Sequence, residues 1–584
     1  MTLFLLTHAA LLAALAGAAV GAGAVVTRGL PMATRAEALA VRAAAGLAVL
    51  GTLACGLGLL GRLDRPHLAI AGLASLLALP LAFRAPRVPD ARQAVRGRWR
   101  SCAAAGLALL PLFVLALYPP IAFDETLYHL PTVKSFAEAG SLPFLPSLRA
   151  PVFPHLAEVL QVPLHLAGGD TATHLVPLLA TLVTALLVFS WAGEKGSSDT
   201  GRTAVALFLS APVVISLATS GYVEALLAML VTAALFSFSR WDARHETAWL
   251  LATALFAGAA SGVKYLGLYW LGLLGLAVLL RSRRGERVRH AALFGTAAFV
   301  ALAPWYGRIL FQTHNPLFPY LPSVFGSTEW DPVPGESLGL GRRLLDVARI
   351  PWDTLFARDR VNFAPPFSPW LALSIPLVLR HGAGSRRTAA LAAAGVSWAF
   401  VWAWLPHDAR YLTLLLPAAS VVTAAALHDT RALRMAFRRP VLTALLILAP
   451  GPFYALYRIA LLGPLPSGAT SRNAFYERHL PEWKGISFLN GRAAADDVTF
   501  VWGCEQLRVH LRGKAIGDHT GPVRYDRVER TSSAAELAEL LRAHRVRFLL
   551  VASRARPPQL DGEPGDALFR LLYRDGAVRV YELV

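Results

Sequence analysis

The run TLFLLTHAALLAALAGAAVGAGAVV, from Thr2 to Val26, contains no Asp, Glu, Lys or Arg. At about 1.5 Å of rise per residue, a helix of this length exceeds the ~30 Å hydrocarbon core of a bilayer. No basic n-region precedes the apolar stretch, so it reads as a first membrane span rather than a cleaved signal. Similar runs recur near residues 3–26, 39–61, 66–83, 101–119, 173–192, 203–219, 222–239, 247–262, 264–280, 289–309, 368–380, 389–405, 411–427 and 440–461. They predict a mainly α, polytopic transmembrane helical bundle of about 13–14 spans.

The composition agrees. Of 584 residues, 55% are hydrophobic and 16% are charged, with a mean hydropathy of +0.49. A soluble domain carries roughly 25% charged residues, so the apolar excess must face lipid. The net charge is +19 and the pI is near 10.4. In a soluble protein such a charge would point to nucleic acid. Here the arginines cluster in short loops between apolar runs, which is an orientation signal and excludes a nucleic-acid partner. The cysteines Cys55, Cys102 and Cys504 form neither a metal knuckle nor a disulfide framework.

The basic loops alternate. Arg84, Arg87, Arg92, Arg96, Arg98 and Arg100 precede the fourth run; Arg281, Arg283, Arg284, Arg287 and Arg289 join the ninth and tenth. Arg380, Arg386 and Arg387 follow the eleventh, and Arg431, Arg434, Arg438 and Arg439 the thirteenth. By the positive-inside rule these loops are cytoplasmic. Residues 120–172, 310–367 and everything after about 462 then lie outside, as does the N-terminus. The expected location is the inner membrane of a bacterium.

Three regions follow: additional spans and a basic loop over 1–100, a transmembrane core over 101–461, and a soluble extracytoplasmic α/β domain over 470–584. In the last, Asp497–Trp502, Val546–Val551 and Val578–Leu583 read as strands. Ser532–His544 reads as a helix with Ser533 at its N-cap, and Asp566–Tyr573 as a second helix. No Gly-rich phosphate loop, nucleophile elbow or internal repeat is present, so an inverted-repeat transporter gains no support.

The chemistry concentrates in Tyr118-Pro-Pro-Ile-Ala-Phe-Asp124-Glu125-Thr-Leu-Tyr128-His129-Leu130, where the fourth span emerges outside. Two adjacent carboxylates at a span mouth are costly to desolvate. In a helix, Asp124 and Tyr128 share one face, and so do Glu125 and His129. A plainer alternative makes Asp124 an N-cap and Glu125 a dipole partner. Tyr222 and Glu224, Lys264, Arg308, and the stretch His407-Asp408-Ala-Arg410-Tyr411 reach the same rim. Singly, each is an interfacial anchor. Together, the cations could hold a lipid-linked phosphate and a carboxylate could take a proton from an attacking hydroxyl.

In this order and sidedness, the motifs resemble the GT-C membrane glycosyltransferases, which include the protein O-mannosyltransferases, the aminoarabinose transferase of lipid A and bacterial relatives. Asp124-Glu125 with Tyr128 resembles the acidic motif of the first outer loop. Glu224 resembles the acid of the second outer turn, and Lys264 a lysine of many relatives. Trp305-Tyr-Gly-Arg308 with Asn315-Pro-Leu-Phe-Pro319 resembles a bacterial loop, and Arg410-Tyr411 a late-span pair. The resemblance covers about 101–461; the three preceding spans depart from simpler relatives.

The resemblance implies a polyprenyl-phosphate-linked sugar as donor and a glycolipid, glycan or protein as acceptor. Asp124 would be the base of an inverting transfer, with Glu125 and Glu224 positioning the acceptor or tuning it. Lys264, Arg308 and Arg410 would meet the leaving phosphate. Tyr128, His129, Tyr222 and Tyr411 complete the implied binding set, with membrane lipids around the bundle. A single base requires no metal, although some GT-C enzymes bridge acid and phosphate with a divalent ion. His129, His155 and His165 read as ordinary loop residues. The competing functions are a lipid-linked oligosaccharide ligase or polymerase, a transporter or flippase with mid-span charges, and a non-catalytic assembly factor.

Overall fold

The computed structural model describes residues 1–83, 106, 109–193, 198–331, 339–362, 365–373, 375–382, 385–429, 446–555, 557–560 and 567–584. The loops bearing Arg84 to Arg100 and Arg431 to Arg439, together with Cys102, lie outside these residues. Among the described residues, seven helices are long and apolar enough to cross a membrane: Thr2–Val26, Arg35–Leu59, Arg65–Ala82, Asp170–Gly193, Glu224–Arg244, Arg284–Thr313 and Ala409–Asp429. A pair, Ser198–Leu209 and Pro212–Ala218, is bent by 76° and adds an eighth if taken as one span.

That number counts described residues only, and two of the expected runs, 101–119 and 440–461, lie partly outside them. Thr247–Val263 and Leu266–Arg281 have 17 and 16 residues. The expected span at 203–219 is interrupted where Pro212 opens the second helix, since proline cannot donate the bond that would continue the first. Of the run at 368–380, the described residues form the helical stretches Pro369–Leu373 and Ile375–Gly382.

The first two helices are packed almost backbone to backbone. A Cβ on Gly46 would lie 1.7 Å from the Ala19 carbonyl oxygen, and one on Gly23 would lie 1.8 Å from that of Arg42. Small residues permit this approach where lipid offers no hydrophobic driving force. The second helix is opened by Thr34, whose hydroxyl accepts from the Glu37 N–H at 3.1 Å. The buried Glu37 carboxylate then accepts from Arg240 Nη2 at 2.9 Å. This pair ties the N-terminal helices to Glu224–Arg244. Glu224 and Arg240 are separated along that helix by about 24 Å, so the pair lies toward the opposite membrane face from Glu224. The sequence had placed acids at one rim only; Glu37 is a second, buried position.

After residue 462 the chain forms a small five-stranded sheet domain. Its strands are β1 (Val498–Trp502), β2 (Lys514–Ile516), β3 (Val546–Ala552), β4 (Phe569–Arg574) and β5 (Val578–Leu583). Their order is β2-β1-β3-β5-β4, with β2, β1 and β3 parallel and β5 and β4 antiparallel. Ser533 caps the helix Ala534–Ala543 as expected, accepting from the Glu536 N–H at 3.2 Å. The helix expected over 566–573 is instead strand β4. Asp575-Gly576 supplies the turn, with Asp575 Oδ1 accepting from the Ala577 and Val578 N–H groups at 2.8 Å each. An Asp-Gly hairpin signal was present and outweighs the local apolar pattern.

The sheet domain rests on the 120–172 segment. Arg149 donates from Nε and Nη2 to Asp518 Oδ1 at 2.9 and 2.5 Å. Arg508 donates to the other Asp518 oxygen at 2.9 Å and to the Ser147 carbonyl at 2.6 Å. Met1 and Phe4 border the same cleft as Arg472 and His510. The N-terminus, the 120–172 segment and the sheet domain therefore share one side of the bundle.

Arg149→Ala should remove one of the two cations that meet the buried Asp518, a loss of ~1–3 kcal/mol with Arg508 still in place. Faster proteolytic release of the sheet domain near Gly463, at unchanged membrane insertion, is the expected outcome. Release at the wild-type rate would mean that other contacts hold the domain.

Candidate active site

Pro119 and Pro120 end the helical segment before the acidic motif, and the chain re-enters helix through a widened turn over Glu125–His129. Such π-type turns re-aim side chains and recur at functional sites. Asp124 already has helical dihedrals (φ −68°, ψ −30°), and its side chain makes no capping bond. This overturns the N-cap alternative.

The Asp124 carboxylate instead faces a buried cluster. Its Oδ2 accepts from the Tyr128 hydroxyl at 2.9 Å and lies 2.8 Å from Arg410 Nη1. Its backbone N–H points to the Tyr222 hydroxyl at 3.4 Å. Arg410 sits in a short 3₁₀ turn, Ala409–Leu415, opened by Asp408, which accepts from the Arg410 N–H at 2.9 Å. The other Asp408 oxygen takes the Arg410 Nε and Nη2 donors at 2.9 and 2.6 Å. The guanidinium lies over the Tyr222 ring, 4.7 Å from its centroid.

Glu224, first in its helix and fully buried, accepts from Lys264 Nζ at 2.9 Å and lies 3.9 Å from Arg410. Its Oε2 has no hydrogen-bond partner among the described residues. Lys264 has extended backbone (φ −160°, ψ 150°) at the break between two helices, with its ammonium 4.8 Å from the Tyr411 ring centroid. Three carboxylates thus share two cations. Burial pushes the Asp124 carboxyl up. Arg410, then Lys264 and His129, outweigh that and hold it below the ordinary carboxylate range.

Glu125 turns the other way. Its Oε1 pairs with His174 Nε2 and accepts from the Gly221 N–H at 2.6 Å; its Oε2 accepts from the Ala122 N–H at 3.3 Å. His174 Nδ1 faces the Ala116 carbonyl at 2.8 Å, and a carbonyl can only accept. A proton must therefore also lie between Nε2 and Glu125, so the pair holds one proton inside the protein. A Cβ on Gly221 would stand 2.5 Å from Glu125 Oε1, which makes glycine a requirement there. Glu125 and His129, expected to share a face, have separate partners: His129 Nδ1 pairs with Glu158 Oε1 at 2.7 Å.

The structure brings together Asp124, Tyr128, Tyr222, Glu224, Lys264, Arg410 and Tyr411. His129 packs against Tyr128, with ring centroids 4.3 Å apart. Arg308 makes its bonds elsewhere: its guanidinium donates to the Leu142 and Pro143 carbonyls and contacts His155 at 3.0 Å, fastening the 141–155 loop. Sequence reasoning missed His174 and Glu158. A polar turn at the mouth of an apolar run, Asp170-Thr-Ala-Thr-His174, was the available signal for the first. Among the described residues, no three His, Cys, Asp or Glu side chains are grouped to hold a metal ion. Arg410 and Lys264 bridge the carboxylates instead. A cavity of about 310 Å³ lies beside the Glu125–Gly221 contact, lined in part by Tyr118, His174, Ser220, Tyr222 and Arg458.

Comparison with known proteins bears on the fold. A family model described as dolichyl-phosphate-mannose-protein mannosyltransferase matches residues 149–307, and one described as SF2091/S2213 matches residues 471–582. ArnT from Cupriavidus metallidurans bound to undecaprenyl phosphate superposes with a TM-score of 0.56 at 14% identity, covering 84% of this chain and 98% of that one. Its apo state gives 0.55 at 15%, covering 83% and 98%. The archaeal oligosaccharyltransferase AglB from Archaeoglobus fulgidus, in complex with an inhibitory peptide and a dolichol-phosphate, gives 0.46 at 14%, covering 78% and 70%. No curated protein matches. The chain has the GT-C fold, and the resemblance in its sequence to the GT-C membrane glycosyltransferases holds.

Gly221→Ala should destabilise the protein by about 1–3 kcal/mol, the usual cost of overpacking. In a Glu125→Ala background the same substitution should cost less, because the atom it strikes is gone. A thermal-unfolding double-mutant cycle in detergent measures the coupling. Strict additivity would mean that Glu125 does not pin this turn.

Proposed function

We propose that this GT-C protein is a glycosyltransferase that moves a sugar from a polyprenyl-phosphate donor to an acceptor hydroxyl at the extracytoplasmic face, inverting the anomeric centre. Residues 101–461 are taken as the transferase core, residues 1–100 as additional spans, and 470–584 as the extracytoplasmic domain. One observation carries this assignment. Asp124 is fixed through a single oxygen, Oδ2, by Tyr128 and Arg410, and Oδ1 has no partner among the described residues. A carboxylate anchored on one oxygen and open on the other is arranged to accept a proton from a third group.

The cations supply the other half. As the bond between sugar and phosphate breaks, negative charge grows on the leaving phosphate, and Lys264 and Arg410 are preorganised cations beside the base. Glu224, Asp124 and Asp408 neutralise them. An incoming phosphate competes for them, and each contact it gains from Arg410 loosens the hold on Asp124. Donor binding therefore raises the basicity of Asp124 at the step that needs it. The mannosyltransferase family model and the ArnT structure solved with undecaprenyl phosphate support a lipid-phosphate donor. The buried charges paired at the two ends of Glu224–Arg244, rather than along its middle, favour surface chemistry over transport.

Asp124→Asn keeps the size and most of the hydrogen bonding but removes the base. Transfer from a polyprenyl-phosphate sugar in membranes with matched protein should fall by about 10²–10⁴-fold. Near-normal transfer would remove Asp124 from the role and direct attention to Glu224.

The pH profile gives an independent check. The Asp124 carboxyl lies below its ordinary range, so the base form is present above that pKa and lost only as pH falls through it. Transfer measured at limiting donor, which reports the free enzyme, should thus hold its rate down to about pH 5. Arg410→Gln removes the largest opposing cation and should move the acid limb to higher pH. An acid limb identical in both proteins would show that another group sets it.

Reporter fusions after Ser467 and within residues 141–150 should both register the extracytoplasmic side. A cytoplasmic signal from both would place the site on the wrong face for this donor chemistry.

A further inference from the structure

A second cleft, of about 1020 Å³, lies between the start of the first helix, the turn at Asp170 and the sheet domain. One wall is aromatic. Tyr476 and Trp483 stack with centroids 4.5 Å apart and 26° between planes, and the His510 ring stands 4.7 Å from Tyr476 and 5.3 Å from Trp483. Trp483 Nε1 is occupied by Asn473 Oδ1 at 2.8 Å, which fixes the indole plane. The other wall is charged. Arg472 stands 4.0 Å from Asp170 Oδ2 and both side chains keep partial access to solvent; Lys134, which does not line the cleft, stands 3.5 Å from the same oxygen. His510 lines the cleft, and its Nε2 has no hydrogen-bond partner among the described residues. Burial, then Lys134, lowers His510 to about 4, so its ring is neutral at pH 7.

The cleft is coupled to the site already described. Asp170 and His174 belong to the same 3₁₀ turn, and His174 holds Glu125. Four residues of such a turn rise about 8 Å, so the cleft opens roughly one turn from the acidic motif. Flat aromatic faces edged by fixed donors and acceptors suit a ligand with apolar C–H faces and a hydroxyl-bearing rim. Arg472 on the lining, with Lys134 also beside Asp170, adds a preference for an acidic group.

We infer that this cleft is a saccharide-binding subsite, in which a sugar ring of the acceptor, preferentially one bearing an acidic group, packs on Trp483 and is held at its edge by Asp170, Arg472 and His510. Describing the occupant as acceptor rests on the transferase assignment; the binding of saccharide does not.

The full chain, solubilised in detergent, is applied to a printed array of defined neutral and uronate-containing oligosaccharides. Wild type should be retained, most strongly on the uronate-containing members. Trp483→Ala should weaken retention by about tenfold or more, as expected for the loss of a stacking face, and Trp483→Phe should keep most of it. Arg472→Gln should remove the preference for acidic members and keeps the proposal testable if Trp483→Ala does not fold. Asp124→Asn should bind the array as wild type does, which separates this subsite from the transfer step. No retention of wild type, or retention unchanged in both Trp483→Ala and Arg472→Gln, would overturn the subsite even if transfer proceeds.

Discussion

The Arg410 guanidinium is the hub of the structure. It is buried and stands between carboxylates from three distant parts of the chain: Asp124 at 2.8 Å, Asp408 at 2.6 Å and Glu224 at 3.9 Å. An isolated charge cannot be buried at this depth without a partner. The planar fork of arginine, with five donors in fixed directions, can serve several acceptors at once, as the single ammonium of lysine cannot. Asp408 takes two of those donors and orients the fork, which leaves Nη1 to face Asp124 and Glu224. Lys264 supplies the second charge that Glu224 needs. The segment after the fourth span, the start of Glu224–Arg244 and the turn at 408–410 are thereby held in one register.

Asp124 and Glu125 are adjacent in sequence and divided by their surroundings. Asp124 faces cations and an open edge. Glu125 lies almost wholly out of water, pinned by His174 and by the Gly221 N–H, and shares a proton with the imidazole. One is placed to exchange a proton with a substrate and the other to fix the turn that carries it. Environment, rather than residue type, assigns the two tasks.

The architecture gathers its polar chemistry on one side. The Arg149–Asp518–Arg508 network seats the sheet domain on the 120–172 segment, and the first helix begins at the same level. The aromatic cleft between these parts exists only because all three meet. At the far end, Glu37 and Arg240 neutralise each other and join the N-terminal helices to the core.

The sequence by itself determined that the chain is a membrane helical bundle with a soluble α/β end, because apolar length and loop charge are local properties that one read of the chain exposes. It also singled out Asp124, Tyr128, Glu224, Lys264 and Arg410, since charge at a span mouth is conspicuous against an apolar background. Hydropathy does not see the bend at Pro212, where a proline opens a new helix. It also could not separate a helix at 566–573 from strand β4, whose identity depends on pairing with β5. Only the tertiary structure decided which charges meet. Arg308 shares a rim with the others in sequence order but spends its donors on the Leu142 and Pro143 carbonyls, whereas His174, unremarkable in sequence, reaches Glu125. Partners for a buried charge are chosen by packing between helices far apart in the chain, and no local pattern encodes that choice.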